Sequence, residues 1–237
     1  KYLLYNRNLA VYNTVIKRDH PEQKGKITMK MAVVCANGKA GRLITEEALA
    51  KGIDVTAIVR GRNTSKAEKS IVKDLFDLTA EDLNGFDIVA DACGAWTPET
   101  LSSIPQAVKK LCELLAGTQT RLVIVGGAGS LYVNKEHTLT VADGKDFPDA
   151  FKPLAAVHKE ALDYLRTVKN VKWTYISPAA DFRADGEKTG KYTVAGEELT
   201  LSKSGESVIS YADFAAAFVD EALNGNHICQ RISVVEE

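Results

Sequence analysis

The stretch MAVVCANGKAGRLITEEALAKGIDVTAIVR, residues 31–60, decides the fold. Met31 to Val34 is an apolar run of strand length, a turn follows through Gly38 and Gly41, and Ala40, Leu43, Ile44 and Ala48 then recur at helical spacing with Gly52 as the stop. A second apolar run ends on Arg60. Strand, turn, helix and strand in this order are the setting in which a glycine turn holds phosphate. Gly38 lets the turn pass a pyrophosphate with no Cβ in the way, and Gly41 lets the helix start close to the sheet with its free N–H groups aimed at the anion. The expectation is a dinucleotide-binding unit with cofactor contacts from Cys35, Asn37, Gly38, Lys39, Ala40 and Gly41. The usual fingerprint has three glycines, and Cys35 stands at the first. A side chain is compatible with the turn there provided that no positive φ is needed.

The end of the second strand selects the dinucleotide. A site for the unphosphorylated cofactor places Asp or Glu about 20 residues beyond the glycines, to accept from the ribose 2′-hydroxyl. This chain has Val59-Arg60-Gly61-Arg62 there. A guanidinium pairs bidentately with a 2′-phosphate, so NADP(H) is the expected cofactor, with NAD(H) second. The competing reading of Arg60 and Arg62 is a solvated loop pair.

A chain of 237 residues suits one large α/β domain or one domain with an appendage. Thirty Lys and Arg against 31 Asp and Glu leave a net charge of −1, which offers no electrostatic case for nucleic acid or an anionic membrane. The four cysteines, Cys35, Cys93, Cys112 and Cys229, form no Cys-x-x-Cys pair, so disulfide and metal frameworks are not expected and a reducing cytoplasm is. Each lies in an apolar run, where a buried, inert thiol is expected. No apolar run approaches the roughly 20 residues of a membrane span.

Residues 1–28 read as an N-terminal extension, an arm packed on the outside of the domain or on a second subunit of a homodimer. Residues 29–237 read as a single NAD(P)-binding domain, in which residues 179–237 add a smaller substrate-side part. The fold class expected is α/β, a Rossmann-like doubly wound parallel sheet with a small C-terminal substrate-side subdomain. A third strand over Ser70 to Lys73 leads to Asp74 and Leu75, where Asp74 could accept from an adenine amino group, cap a following helix, or both. A fourth, Phe86 to Ala92, delivers Cys93, Gly94 and Trp96 to the same edge. A helix over Glu99 to Ala116 precedes a fifth strand, Arg121 to Val125, whose end carries Gly126, Gly127 and Gly129, suggesting a backbone pressed against a ligand. Tyr132 to Pro148 reads as a long loop. On the helix over Pro153 to Val168, His158 falls on the apolar face and reads as a satisfied core histidine. A sixth strand, Val171 to Ile176, runs to Pro178. Short segments over Thr189 to Val194, Glu198 to Leu201 and Ser207 to Ser210, a helix over Tyr211 to Leu223 and a strand over Ile228 to Val235 complete the chain. The ends at Cys35, Arg60, Asp74, Cys93, Gly126 and Pro178 would line one crevice.

Several of these stretches resemble an atypical branch of the short-chain dehydrogenase/reductase family, the NAD(P)H-binding proteins related to flavin and biliverdin-IXβ reductases. The resemblance is carried by Ala36-Asn37-Gly38-Lys39-Ala40-Gly41, Ala57-Ile58-Val59-Arg60, Trp173-Thr174-Tyr175-Ile176-Ser177-Pro178, Thr189-Gly190-Lys191-Tyr192 and Ser207-Val208-Ile209-Ser210 leading into Ala212-Asp213. Standard members of the superfamily use Tyr-x-x-x-Lys on the helix after the fifth strand, but here no tyrosine precedes a lysine by four. Lys159 fits the lysine, with a role on the ribose hydroxyls, and Ala155 occupies the tyrosine position. The resemblance implies a reductase that stacks its acceptor over the nicotinamide, with Trp96, Ser130, Tyr132 and Phe182 as candidate contacts. Ser130 is carried over from a serine that follows the fifth strand in those reductases, although Gly127 is the nearest match in register.

The expected function is therefore NADPH-dependent hydride transfer to a flavin, quinone or other small conjugated acceptor. A protein that senses NADP(H) and performs no chemistry is the alternative, and a nucleotide-sugar epimerase a third reading.

Overall fold

A computed structural model describes residues 28–237. The arm expected from residues 1–28 therefore lies, Thr28 apart, outside the described residues.

The first strand, β1 (Lys30–Val34), passes through the glycine turn into α1 (Lys39–Ala50) and then β2 (Asp54–Val59). Both faces of β1 are buried, Met31 and Val33 in one core and Ala32 and Val34 in the other. That two-sided burial is why the strand reads as an unbroken apolar run rather than an alternating one. β3 (Lys69–Val72), β4 (Ile88–Asp91), β5 (Arg121–Val125), β6 (Lys172–Ser177), β8 (Tyr192–Ala195) and β10 (Gln230–Glu236) complete an eight-stranded sheet in the order β3-β2-β1-β4-β5-β6-β10-β8. Every pairing is parallel except that of β8 with β10. α1 packs beside α4 (Tyr211–Asn224) on one face, and α2 (Ser103–Leu115) beside α3 (Lys152–Thr167) on the other. This is a Rossmann-like α/β fold. Because β2 and β3 lie to one side of β1 and β4 to the other, the chain reverses direction between β1 and β4 and leaves a crevice at their carboxyl ends.

Residues 179–237 do not stand apart from this body. β8 and β10 extend the main sheet and α4 covers it, while β7 (Asp181–Arg183) and β9 (Val208–Ser210) form a separate two-stranded parallel sheet. Asp213, fully buried at the start of α4, accepts from the N–H groups of Thr189 at 3.0 Å and Gly190 at 2.7 Å. The motifs around Thr189 and Asp213 that support the resemblance are therefore a brace between the C-terminal segments.

α2 begins four residues later than the expected helix. Thr97, Thr100 and Ser103 turn their hydroxyls onto nearby backbone carbonyls or each other, which favours turns over a longer helix. Pro105 sits in the first turn of α2, where its missing N–H costs nothing. The long loop after β5 is ordered by a short 3-10 turn at Val141–Asp143, with Thr140 and Asp143 capping one another.

Candidate functional site

The glycine turn between β1 and α1 is shaped by backbone contacts. Cys35 adopts φ +59°, so the turn does hold a left-handed residue where the fingerprint has its first glycine, and the condition for carrying a side chain there without strain is not met. For an L-residue this costs about 1–2 kcal/mol. The Cys35 carbonyl accepts from Gly38 N at 2.9 Å, and a Cβ on Gly41 would come within 2.5 Å of the same oxygen. Gly41 is thus required for the close approach of α1 to β1. Gly38 is the N-cap of α1, no side chain caps the helix and its first turn holds no acidic residue, so its leading amides are available to an anion. These features fit the pyrophosphate of a dinucleotide. Asn37 braces the adjoining loop, donating to the Arg62 carbonyl at 2.9 Å and accepting from Thr64 N at 2.8 Å. Lys39 is exposed and Ala40 half-buried beside them.

At the end of β2, Arg60 and Arg62 are exposed, and neither guanidinium has an ion-pair partner among the described residues. Asp74 caps the next turn by accepting from Phe76 N at 3.0 Å, and Leu75 is buried behind it. At the end of β4, the Sγ atoms of Cys35 and Cys93 are 2.7 Å apart. The expectation of buried, inert thiols holds for Cys112, which burial pushes up to about 12, but Cys35 and Cys93 are half-buried and Cys229 is exposed. Trp96, at 73% exposed, is the barest aromatic ring of this edge, with its indole nitrogen over Gly94.

The missing Cβ atoms of the glycines after β5 make room for the protein's own side chains. A Cβ on Gly126 would overlap the Tyr175 ring, one on Gly127 would come within 2.8 Å of the His158 ring, and one on Gly129 within 2.6 Å of the Ala155 Cβ. Tyr175 Oη accepts from Gly127 N at 3.0 Å and lies 3.3 Å from His158 Nδ1. Ser177 Oγ, just before the buried Pro178, donates to the Gly127 carbonyl at 2.9 Å.

Three candidate residues are directed elsewhere. Ser130 is 6% exposed, and its hydroxyl and carbonyl lie 3.5 and 3.3 Å from the buried Arg231 guanidinium, so it is a strut within the fold. Lys159 is exposed and pairs at 2.5 Å with Asp163 one turn along α3. Phe182 stacks on Tyr211 with centroids 3.8 Å apart and tilts on Phe214 at 4.9 Å, which anchors β7 to α4. Tyr132 is half-buried against His137 at 4.4 Å, with Arg231 at 5.7 Å from its ring. The contacts missed from sequence, Cys35 with Cys93 and Arg231 with Glu197, join residues 58 and 34 positions apart and have no local signature. The strand order is the signal that would have paired the cysteines.

A hollow of about 610 Å³ between Met29, Phe86 and Arg121 opens at the opposite edge, by the amino ends of the strands. Ligands of open parallel sheets lie at the carboxyl ends, so the crevice between β1 and β4 is the candidate site.

Burial pushes His158 down to about 4 from an ordinary 6.5. Between those values the unfolded chain binds the proton and the folded one does not, so stability is complete above about pH 6.5 and falls as pH drops toward 4. Urea titrations should show a loss of about 3 kcal/mol across this window, with a shallower slope in His158→Gln. An unchanged slope would mean that the imidazole takes its proton in place.

The profile of the NAD(P)H-binding family matches residues 35–224, and the chain belongs to that family. A Bacillus subtilis (strain 168) relative, the uncharacterized protein YwnB, is 40% identical over 214 residues, 88% of this chain and 99% of the relative. A crystal structure from Streptococcus pneumoniae TIGR4, described as a putative NADH-flavin reductase, is 54% identical with a TM-score of 0.86, covering 88% of this chain and 100% of that one. Another, described as a putative epimerase, from Bacteroides thetaiotaomicron, is 30% identical with a TM-score of 0.77, covering 88% and 97%.

Proposed function

We propose that this protein is an NADPH-dependent reductase that passes hydride to a flat conjugated acceptor, a flavin or a quinone. The observation that carries this reading lies on α3. Where a proton donor would stand four residues before Lys159, Ala155 is packed against Gly129, and Lys159 itself is paired with Asp163. A carbonyl acceptor needs a proton delivered to its nascent alkoxide, whereas the anion left after hydride addition to a flavin or quinone is delocalised and takes its proton from water. Tyr175 does not replace the missing acid, because burial raises its pKa and its hydroxyl is engaged by Gly127 and His158. An epimerase would need the same absent group.

A bound nicotinamide supplies the hydride. The leading amides of α1 hold the pyrophosphate, Arg60 and Arg62 bind the 2′-phosphate, and Trp96 offers its exposed face to the acceptor. The pneumococcal relative's description supports a flavin acceptor, and the exposed arginine pair supports NADPH over NADH.

The test is anaerobic NADPH oxidation with free flavin and simple quinones, beside binding titrations of NADPH and NADH. Turnover of about 1 s⁻¹ or more is expected, the low end of ordinary enzymes. Tight NADPH binding without turnover on any acceptor would replace this reading with a sensing protein. Trp96→Ala should raise the KM for flavin about fivefold, a loss of about 1 kcal/mol for one stacked ring, while NADPH binding is retained. An unchanged KM would remove Trp96 from the acceptor site.

A further inference from the structure

We propose that Cys35 and Cys93 are a redox-modification site, two thiols that close to an intramolecular disulfide across the switch point of the sheet and, once closed, weaken dinucleotide binding. The control of binding rests on the crevice reading above; the disulfide itself does not.

The two sulfurs are 2.7 Å apart at the ends of adjacent strands, and Ala92 N donates to the Val34 carbonyl at 3.2 Å, so the pairing of β1 with β4 continues up to the cysteines. By the register of Val34 with Asp91, Cys93 lies one residue beyond the position opposite Cys35, and a strand spacing of about 4.8 Å with a rise of about 3.3 Å keeps the pair inside the roughly 4.4–6.8 Å of Cα separation that a disulfide spans. Closing the bond asks for about 0.7 Å of approach between the sulfurs. Both side chains are half-buried, so a small oxidant reaches them, whereas Cys112 is buried and Cys229 has no sulfur partner among the described residues. The adjoining Cys35 thiol, burial and the nearby Asp91 together hold the Cys93 thiol above its ordinary range. The oxidant meets one of these two sulfurs, taken as Cys35 in the steps that follow, and the other resolves it.

With hydrogen peroxide as oxidant, the Cys35 sulfur displaces water from the peroxide and becomes a sulfenic acid. The Cys93 sulfur then attacks it, forming the S–S bond and releasing a second water. Two thiols and one peroxide yield one disulfide and two waters. A dithiol such as dithiothreitol returns both thiols and leaves as its cyclic disulfide.

The effect on binding follows from the position of Cys35. Its carbonyl holds Gly38 N and lies against Gly41, where not even a Cβ fits, and its backbone is already left-handed. Drawing Cys35 toward Cys93 therefore displaces the turn that sets the first amides of α1.

The test begins with the reduced full chain, exposed to a small excess of peroxide and then alkylated after denaturation. Free thiols should fall from four to two, with a tryptic peptide pair linking Cys35 to Cys93, and dithiothreitol should restore four. Cys35→Ser and Cys93→Ser should each retain three thiols. NADPH affinity of the oxidised protein should fall at least tenfold and recover on reduction. Cross-links between chains, or sulfinic acid at Cys35 without a linked peptide, would overturn the site. An internal disulfide with unchanged affinity would overturn the control of binding. If the reduced protein fails to bind NADPH at all, the functional reading fails, and the thiol count still decides whether the pair exists.

Discussion

Arg60→Ala should weaken NADPH binding about a hundredfold and leave NADH within about twofold, a loss of about 2.7 kcal/mol confined to the phosphorylated cofactor. Arg60 is exposed and holds no carboxylate among the described residues, so its removal disturbs no packed contact and stability should change by no more than about 0.5 kcal/mol. Charge-assisted bonds contribute about 1.5–3 kcal/mol each, and a guanidinium meets a phosphate through two of them. The loop behind Arg60 is already ordered by Asn37 and by the Arg42 bond to Thr64 at 2.9 Å, so little ordering is left for binding to perform. Calorimetric titration with both cofactors is the measurement. Equal losses for NADPH and NADH would defeat the assignment to a 2′-phosphate and leave Arg60 a general contact on the adenine side.

Glu197→Ala should destabilise the fold by about 3–5 kcal/mol, the cost of stripping the counter-ion from a buried cation. Arg231 is 3% exposed, and its Nε donates to Glu197 Oε2 at 2.9 Å while Nη2 donates to the Glu197 carbonyl at 2.9 Å. Burial pushes the guanidinium pKa down, and the Glu197 carboxylate opposes that shift. Arg166 shares the same carboxylate at 2.7 Å, so the variant frees two positive charges toward one another. Urea unfolding should show the loss, and adding Arg231→Met should recover most of it, because an apolar side chain of similar reach needs no counter-ion. A loss below about 1 kcal/mol would mean that water already solvates Arg231. The ion pair also carries the loop that bears Ser130 and Tyr132, since Tyr132 N donates to the Glu197 carbonyl at 3.0 Å. The same substitution should therefore loosen that edge of the crevice.

Local patterns were enough for the frame. The apolar runs of β1, β2, β5 and β6 and the helical stripe of α1 were legible because period and glycine placement are properties of neighbouring residues, and so was the arginine at the end of β2. The inward-facing place of His158, half-buried beside Tyr175, followed from its position on an apolar helix face, and the ion pair of Lys159 with Asp163 was within reach of the same spacing rule. β7 was missed because three residues that alternate with exposed neighbours carry too little hydrophobic signal to read as a strand.

What each site residue faces was decided elsewhere. Gly126, Gly127 and Gly129 look alike in sequence, and only the placement of Tyr175, His158 and α3 shows which side chains fill the space of their missing Cβ atoms. Ser130 turned inward because Arg231, about a hundred residues later, came to lie beneath it. Cys35 gained a sulfur partner because the chain returned on the far side of β1 to place β4 there. Sequence alone determined the apolar strands of the main sheet, the glycine turn and the charge at its rim, since hydrophobic period and backbone freedom act over a few residues. The tertiary structure decided which polar groups and sulfurs meet, since those contacts depend on strand order and burial, which no local pattern encodes.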